Sequence, residues 1–162
     1  MIFRLLVILS ILFSVQVAMA ADVCQDKNTV IYINTTKHKL WLCEKNKTLE
    51  KYSVALGKGG ISKKKQGDNK TPLGKYTLGQ PRPSEKFGIF IPINYPTANQ
   101  IKQGYTGGAI GIHGPHRKFT WAGKLNTMVD WTQGCIAVAS DEKIDSIANW
   151  VKQKKVREVY IQ

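Results

Sequence analysis

Residues 130–138 read Asp130-Trp131-Thr132-Gln133-Gly134-Cys135-Ile136-Ala137-Val138, and the segment Ile112-His113-Gly114 precedes them. The two segments combine one thiol with one imidazole. A thiolate attacks a carbonyl only if a base removes the thiol proton and hydrogen-bond donors stabilise the oxyanion that results. A cysteine, a histidine and a tight glycine turn supply these parts, so we interpret Cys135 as a nucleophile.

Three sequence blocks follow one another along the chain. The first is Gly67-Asp68-Asn69-Lys70-Thr71-Pro72-Leu73-Gly74-Lys75-Tyr76, the second is Ile112-His113-Gly114, and the third is Thr132-Gln133-Gly134-Cys135. The third block resembles the signature of the L,D-transpeptidase catalytic domain (the YkuD-type family), and the first is similar to that family's Gly-Asp-x-x-Thr-Pro-x-Gly-x-Tyr element. The blocks stand in the family's order, and three in order are a far more specific signal than any one of them.

The resemblance implies a role for several residues of the second and third blocks. It makes Cys135 the nucleophile and His113 the base, and it implies that a backbone carbonyl at Gly114, not a carboxylate, orients the imidazole. The amides of Gly134 and Cys135 are the expected oxyanion donors. Because an unperturbed thiol has a pKa near ~8.5 and is mostly protonated at neutral pH, the imidazole matters for the rate.

Several neighbouring side chains are further candidates for the site. His116 is the main rival for the base because it follows His113 by three residues, but it lacks the Ile-His-Gly context. A zinc site built from His113, His116 and Cys135 would have no familiar ligand spacing, so we expect neither a metal nor another cofactor. The candidate substrate contacts are Trp131, Thr132, Gln133 and His116.

The resemblance also implies a reaction on peptidoglycan stem peptides. In the family's reaction the thiolate attacks the carbonyl of the third, diamino-acid residue, forms a thioester and expels the terminal D-Ala. An amine from another stem or from a protein then takes the acyl group. The implied partners are therefore peptidoglycan stem peptides and, in the second case, a wall-linked lipoprotein.

Two departures from the family pattern leave the second half of this reaction open. Gln133 stands where many members carry His, and Ala137 stands where transpeptidases usually carry Arg. The alternative is a hydrolytic relative that uses the same Cys135 and His113, either an L,D-carboxypeptidase or an amidase that releases wall-linked protein. A second alternative is a non-catalytic module that holds anionic wall polymer with its basic surface.

The first twenty residues have the pattern of an export signal. Arg4 precedes the apolar run from Leu5 to Val15, and Ala18-Met19-Ala20 is the small-x-small triplet that signal peptidase cuts. The apolar run is too short for a transmembrane helix. We expect residues 1–20 to be a cleaved signal peptide, and the mature protein to lie in the periplasm or cell wall without stable membrane insertion.

Size and charge narrow the remaining possibilities. Residues 21–162 suffice for one compact domain and are too few for two ordinary ones, so we predict a single L,D-transpeptidase-like catalytic domain over this range. The formal net charge of +13 attracts anionic partners. For an exported protein, nucleic acid is the poorest such partner and cell-wall carboxylates are a better one. We interpret Lys63 to Lys65 as a solvated loop.

The number of cysteines is a separate clue. Three thiols in an exported protein allow one disulfide and leave one cysteine over. Cys24 and Cys43 both lie in the N-terminal part of the chain and are able to pair with each other. That pairing would leave Cys135 free for chemistry.

The hydrophobic pattern predicts a mainly β fold with one principal helix near the C-terminus. Prolines between 80 and 108 favour surface loops and edge strands there. Apolar residues recur at helical spacing after Ser140, which offers a capping hydroxyl. For this β-rich α+β pattern the resemblance implies an L,D-transpeptidase-like β-sandwich. The predicted strands are 29–34, 40–43, 49–56, 75–78, 107–112, 136–139 and 156–161.

Overall fold

The computed structural model describes residues 21–162, so the signal peptide predicted over residues 1–20 lies outside the described part of the chain. Strands and helices alternate along these residues. In chain order they are β1 (Val30–Asn34), β2 (Lys39–Glu44), β3 (Lys47–Ala55), β4 (Gly74–Thr77), β5 (Arg82–Ser84), β6 (Gly88–Pro92), α1 (Ala98–Lys102), β7 (Gly111–His113), a 3-10 helix (Arg117–Thr127), β8 (Ile136–Val138), α2 (Asp141–Gln153) and β9 (Glu158–Ile161).

The strands form one curled sheet in the order β4-β9-β1-β2-β3-β8-β7-β6-β5. The long strand β3 joins its two halves, because residues up to Ser53 pair with β2 whereas Val54 and Ala55 pair with β8. β1 and β9 pair in parallel although they lie near opposite ends of the described chain, with Tyr32 opposite Tyr160. The prediction of a mainly β fold is confirmed, and the predicted strands 29–34, 40–43 and 49–56 match β1 to β3 to within about two residues.

Both faces of the central strands are buried. Ile31 and Ile33 of β1 belong to the main core, whereas Val30 and Tyr32 point to the opposite face and pack in a smaller cluster. A strand covered on both faces has no polar face, so its sequence reads as a continuous apolar run.

Helix α2 covers the main core with one face. Its buried apolar residues recur at helical spacing, as predicted. Ser140 is the N-cap residue, but its side chain makes no capping hydrogen bond, in contrast to the prediction. The carboxylates of Asp141 and Glu142 lie in the first turn, where they complement the helix dipole. Across residues 21–162, every helix falls short of the length and apolarity that crossing a bilayer requires.

The smaller cluster contains a disulfide. The sulfur atoms of Cys24 and Cys43 are joined with an S–S distance of 1.97 Å, and Val30, Tyr32 and Trp41 pack around them. The bridge ties the segment before β1 to the end of β2.

The structure differs from the prediction in four further places. Residues 107–110 are not extended strand, so β7 begins at Gly111. Residues 98–102 and 117–127 are helical, which no apolar periodicity in the sequence had marked. The interpretation of Lys63 as solvated is wrong: this residue is 5% exposed, because the carboxylate of Asp68 lies 2.7 Å from its ammonium group and stabilises the buried charge.

Candidate active site

The two catalytic candidates lie at the ends of neighbouring strands, with His113 as the last residue of β7 and Cys135 just before β8. β7 and β8 run in parallel, with Ile112 opposite Ile136 and His113 opposite Ala137. Cys135 precedes β8 directly and is two residues from Ala137. Because side chains alternate along extended chain, Cys135 and Ala137 share the face on which His113 lies. Both His113 and Cys135 line one groove of about 1140 Å³.

The backbone orients the imidazole of His113. Its Nδ1 lies 2.6 Å from the carbonyl oxygen of Gly114. Since a carbonyl oxygen can only accept, Nδ1 carries the hydrogen, and Nε2 of the neutral ring keeps its lone pair. A Cβ atom on residue 114 would lie 2.7 Å from the carbonyl oxygen of Phe87, so this close turn requires glycine. Nε2 is therefore the nitrogen that can act as a base.

Three aromatic rings enclose the imidazole. Phe87 stacks on it with 3.9 Å between ring centroids, Phe90 lies parallel at 6.2 Å, and Trp131 meets it edge-on at 5.7 Å. His113 is only 1% exposed. Burial therefore lowers the pKa of His113 to about 4, although the hydrogen bond to Gly114 favours the protonated ring. The imidazole is neutral at pH 7.

Cys135 is a free, half-buried thiol. Its S–H donates to the carbonyl oxygen of Ala109, with 3.4 Å between sulfur and oxygen. Burial raises the pKa of Cys135 to about 11, although the Gly111 backbone and the charge of Lys63 act in the opposite direction. The resting site thus holds a neutral thiol and a neutral imidazole, an arrangement in which the thiolate forms only as the base takes its proton during attack.

Thr132 shapes the loop that carries the thiol. Its hydroxyl donates to the carbonyl oxygen of Cys135 at 2.7 Å and accepts the N–H of Gly134 at 3.1 Å. Gly134 has a φ of +120°, and a Cβ there would lie 2.5 Å from the carbonyl oxygen of Lys70, so glycine is required. Thr132 is 3% exposed and its hydroxyl is engaged within the loop. To donate to an oxyanion, the Gly134 amide has to break its hydrogen bond to this hydroxyl.

The first sequence block supports the same loop from the other side. Thr71 is fully buried, and its hydroxyl accepts the N–H of Gly57 at 2.8 Å. The next residue, Lys58, donates its N–H to the carbonyl oxygen of Thr132 at 2.9 Å. These contacts give a structural reason why the first and third blocks occur together in one chain.

Asp68 of the first block organises the segment before Thr71. Its oxygens accept the ammonium of Lys63 at 2.7 Å and the N–H groups of Lys64, Lys65 and Lys70. Burial opposes ionisation of the carboxyl, but these four hydrogen bonds outweigh it and hold the pKa of Asp68 well below its usual range. The paired Lys63 lines the groove as a fixed cation.

The other candidate substrate contacts are Gln133, His116 and Trp131, and all three line the groove. Gln133 is exposed. A ring nitrogen of His116 accepts the N–H of Lys118 at 3.2 Å, so the ring caps the 3-10 helix. Trp131 donates its indole N–H to the carbonyl oxygen of Asn126 at 2.9 Å, which fixes its ring in the groove wall.

The segment between the histidine and the cysteine is anchored by Asp130. Its carboxylate accepts the N–H of Leu56 at 2.7 Å and lies 3.0 Å from Nε2 of His38. The 3-10 helix within this segment and the two residues after it present large apolar side chains to solvent, all more than half exposed. They are Phe119, Trp121, Leu125, Met128 and Val129.

Sequence reasoning missed several groove residues, among them Phe87, Phe90, Lys63 and Arg82. Phe87 and Phe90 were visible only as part of a short apolar stretch, and no sequence signal shows that β6 pairs with β7. Lys63 was hidden in a run of lysines. Within residues 21–162 no group of three or more His, Cys, Asp or Glu side chains is arranged to hold a metal ion.

Comparison with protein families gives one match. The model of the L,D-transpeptidase catalytic domain, YkuD, matches residues 28–161, which is most of the chain. A comparison with curated proteins gave no match.

Several solved structures are similar to this one. The helical cell shape determining protein Pgp2 from Campylobacter jejuni is 27% identical, with a TM-score of 0.66 over 82% of this chain and 46% of that one. Bd1075 from Bdellovibrio bacteriovorus is 21% identical, with a TM-score of 0.59 over 82% and 47%. An L,D-transpeptidase from Mycobacterium smegmatis is 13% identical, with a TM-score of 0.53 over 82% and 58%. The chain thus spans just under half the length of Pgp2, and the last two likenesses show the fold alone.

Proposed function

Because this chain belongs to the L,D-transpeptidase catalytic domain family, we propose that it is an exported cysteine acyl-transferase that acts on peptidoglycan stem peptides. In this proposal residues 21–162 are the catalytic domain that remains, in the periplasm or cell wall, after a signal peptide over residues 1–20 is removed. The observation that carries the proposal is a free thiol and an oriented, neutral imidazole that face one groove from adjacent parallel strands.

In the first half-reaction His113 Nε2 takes the proton of the Cys135 thiol. The sulfur attacks the carbonyl carbon of the diamino-acid residue and forms a carbon–sulfur bond. The bond to the nitrogen of the terminal D-Ala then breaks, and His113 returns its proton to that leaving amine. The products are a thioester on Cys135 and free D-Ala, and the imidazole is neutral again.

In the second half-reaction an acceptor amine attacks the thioester. His113 removes a proton from the amine, and Cys135 leaves as the thiol once it has been reprotonated. An amine on another stem gives a crosslink, and an amine on a wall-linked lipoprotein gives a protein attached to the wall. The likeness to a helical cell shape determining protein supports a role of this chemistry in cell shape.

Hydrolysis is the second candidate, with water in place of the amine. The observation in its favour is the pair of departures at Gln133 and Ala137, where many members of the family carry His and transpeptidases usually carry Arg. The product would then be a shortened stem peptide or a released wall-linked protein.

Product analysis separates the two candidates. Purified protein is incubated with a disaccharide tetrapeptide, and the products are followed by mass spectrometry. Dimers indicate transfer, and tripeptide alone indicates hydrolysis. Neither product, together with no adduct on Cys135 after a carbapenem challenge, would remove both candidates.

A mutant distinguishes an enzyme from a basic wall-binding module. If the protein is an enzyme, Cys135→Ala abolishes product formation and cellular function while wall binding persists. If it is only a binding module, Cys135→Ala leaves function intact, and binding weakens steeply with salt.

A further inference from the structure

The groove beside the thiol is cationic. Among the residues that line it are Lys63, Arg82 and Lys86, and no aspartate or glutamate of the described chain is among them. A concave surface with charges of one sign concentrates ligands of the opposite sign. The groove is therefore suited to a ligand that carries carboxylates.

Two of the cations that line the groove, Arg82 and Lys86, have no protein anion paired with them among the described residues, and of these two only Arg82 carries a guanidinium. Lys63 is paired with Asp68, and Arg117 with Asp141. The ion pairs within residues 21–162 include none to Arg82, and the side-chain hydrogen bonds of that range include none from its guanidinium. A guanidinium in the groove with all its N–H donors unused can bind an external anion.

The position of the Arg82 guanidinium is nonetheless defined. Its central carbon lies 5.2 Å from the centre of the Phe90 ring, which is a cation–π arrangement. The Phe90 ring lies in turn 6.2 Å from the imidazole of His113. Together these two distances limit the separation of guanidinium and imidazole to about 11 Å.

One row of paired residues crosses the sheet at this point. Arg82 of β5 is opposite Phe90 of β6, Phe90 is opposite His113 of β7, and His113 is opposite Ala137 of β8. Paired residues of a sheet point to the same face. The row therefore carries an arginine on the edge strand β5 and Ala137 on β8, the position at which transpeptidases of the family usually carry an arginine.

We propose that Arg82 is the carboxylate-binding residue of the donor site. The inference rests on the proposed function and adds the ligand group and its partner. The planar guanidinium binds a carboxylate of the stem peptide through two parallel N–H···O bonds while the scissile carbonyl lies against Cys135. Arg82, in the same row of paired residues, thus supplies the cation that Ala137 does not provide.

Steady-state kinetics with a tetrapeptide tests this proposal. Loss of a charge-assisted hydrogen-bond pair in Arg82→Gln is expected to raise KM by about tenfold to a hundredfold with kcat within about twofold. Arg82→Lys keeps the charge but not the planar pair of N–H donors, so it should recover part of the affinity. Arg157→Gln, an exposed arginine outside the groove, is the matched control and should leave KM unchanged.

A set of modified peptides identifies the carboxylate. In separate peptides the carboxyl group of the terminal D-Ala, of the diamino-acid side chain or of the preceding residue is replaced by a carboxamide. With the unmodified protein, one of these peptides should raise KM by the same factor as the Arg82→Gln change. With Arg82→Gln, the same peptide should have the same KM as the unmodified peptide. The proposal is overturned if Arg82→Gln leaves KM unchanged, or if every replacement acts equally with and without Arg82.

The controls keep this inference separate from the proposed function. A folded protein that makes no product and no thioester with any stem peptide contradicts the proposed function itself. Turnover by the unmodified protein with an unaltered KM in Arg82→Gln contradicts only the role of Arg82. If Arg82→Gln unfolds, as judged by circular dichroism, the comparison of Arg82→Lys with the amidated peptides gives the same decision.

Discussion

At the scale of single residues, the site combines a neutral thiol with a neutral imidazole. Burial lowers the pKa of His113 to about 4 and raises the pKa of Cys135 to about 11, so neither group is charged near pH 7. This differs from cysteine enzymes in which a thiolate and an imidazolium exist before substrate binds. In the proposed reaction the imidazole therefore removes the proton while the sulfur attacks.

The pH dependence of alkylation measures the resting state of the thiol. Because only the thiolate reacts with iodoacetamide, the rate for Cys135 should rise about tenfold per pH unit from pH 7 to 10, without a plateau. At neutral pH it should be roughly a hundredfold slower than that of an ordinary cysteine. The measurement is the mass shift of the peptide that contains Cys135 as a function of time and pH.

The unfolded protein is the control for this experiment, since its thiol should show the ordinary midpoint near ~8.5. His113→Ala should change the alkylation profile little, because the resting imidazole is neutral, while it abolishes acyl transfer. A plateau in the folded protein that begins near pH 6 and disappears in His113→Ala would show an ion pair and contradict the neutral site.

The sequence identified the residues whose chemistry is carried by their own side chains. Cys135 and His113 stand in short motifs, so their types and neighbours were enough to nominate them. Phe87 and Phe90 act only through their position beside the imidazole, which depends on the pairing of β6 with β7. No residue-level pattern encodes that pairing, and these two contacts were therefore not predicted.

At the scale of elements, the loop from Lys63 to Lys70 depends on one carboxylate. Asp68 accepts four hydrogen bonds and compensates the buried charge of Lys63. The first sequence block is thus partly structural, because it stabilises the wall of the groove and the backbone beside Gly134. The sequence singled out this block as a motif but did not predict its ion pair between Lys63 and Asp68.

Asp68→Asn should lower the free energy of unfolding by about 3 kcal/mol at pH 7, because it leaves the Lys63 charge buried and unpaired. The double variant Lys63→Met, Asp68→Asn should lose less free energy of unfolding than the two single variants lose together. Both values come from urea unfolding monitored by circular dichroism.

Acid should reduce the effect of Asp68→Asn. The pKa of Asp68 is lower in the folded protein than in the unfolded one, so its stabilising contribution is complete above the unfolded pKa near 3.8 and is lost as the pH falls through the folded pKa. The difference between unmodified and variant protein should therefore shrink below pH 4. A stability difference that stays constant below pH 4 would contradict a coupled ion pair. Single-variant losses of stability that add up to the loss of the double variant would contradict it as well.

The elements that were predicted are those with a strong periodic signal. The strands β1 and β2 have near-continuous apolar runs, and α2 buries one helical face. The 3-10 helix Arg117–Thr127 contains two residues with non-helical backbone angles and buries only Asn126, so it leaves no periodic pattern in the sequence. Hydrogen bonds of Asp130 and Trp131 to other parts of the chain hold the segment that contains it.

At the scale of the whole molecule, the fold joins distant segments. β1 and β9 pair in parallel, and β3 links the two halves of the sheet. The sequence predicted most of the strands, though not β5 and β6, and it predicted the architecture through family resemblance. Strand order was not predicted because it depends on contacts between residues far apart in the chain. Only the three motif blocks signalled such contacts in advance.

The disulfide is a separate constraint on the whole fold. Cys24 and Cys43 close a loop with a sequence separation of 19, so reduction should lower the free energy of unfolding by about 3 kcal/mol. Thiol labelling of unfolded protein without reductant should count one free thiol, which maps to Cys135. Three free thiols, or an unfolding midpoint that reductant does not change, would contradict this bridge.

The central claim is that Cys135 takes up an acyl group with the help of His113. Intact-mass spectrometry of the protein, quenched with acid soon after mixing with a disaccharide tetrapeptide, tests it most directly. We expect a covalent adduct on Cys135 that corresponds to the tetrapeptide substrate less its terminal D-Ala, and we expect it to be absent from both Cys135→Ala and His113→Ala. An adduct on another residue, or a stable fold that forms product without any thioester on Cys135, would contradict it.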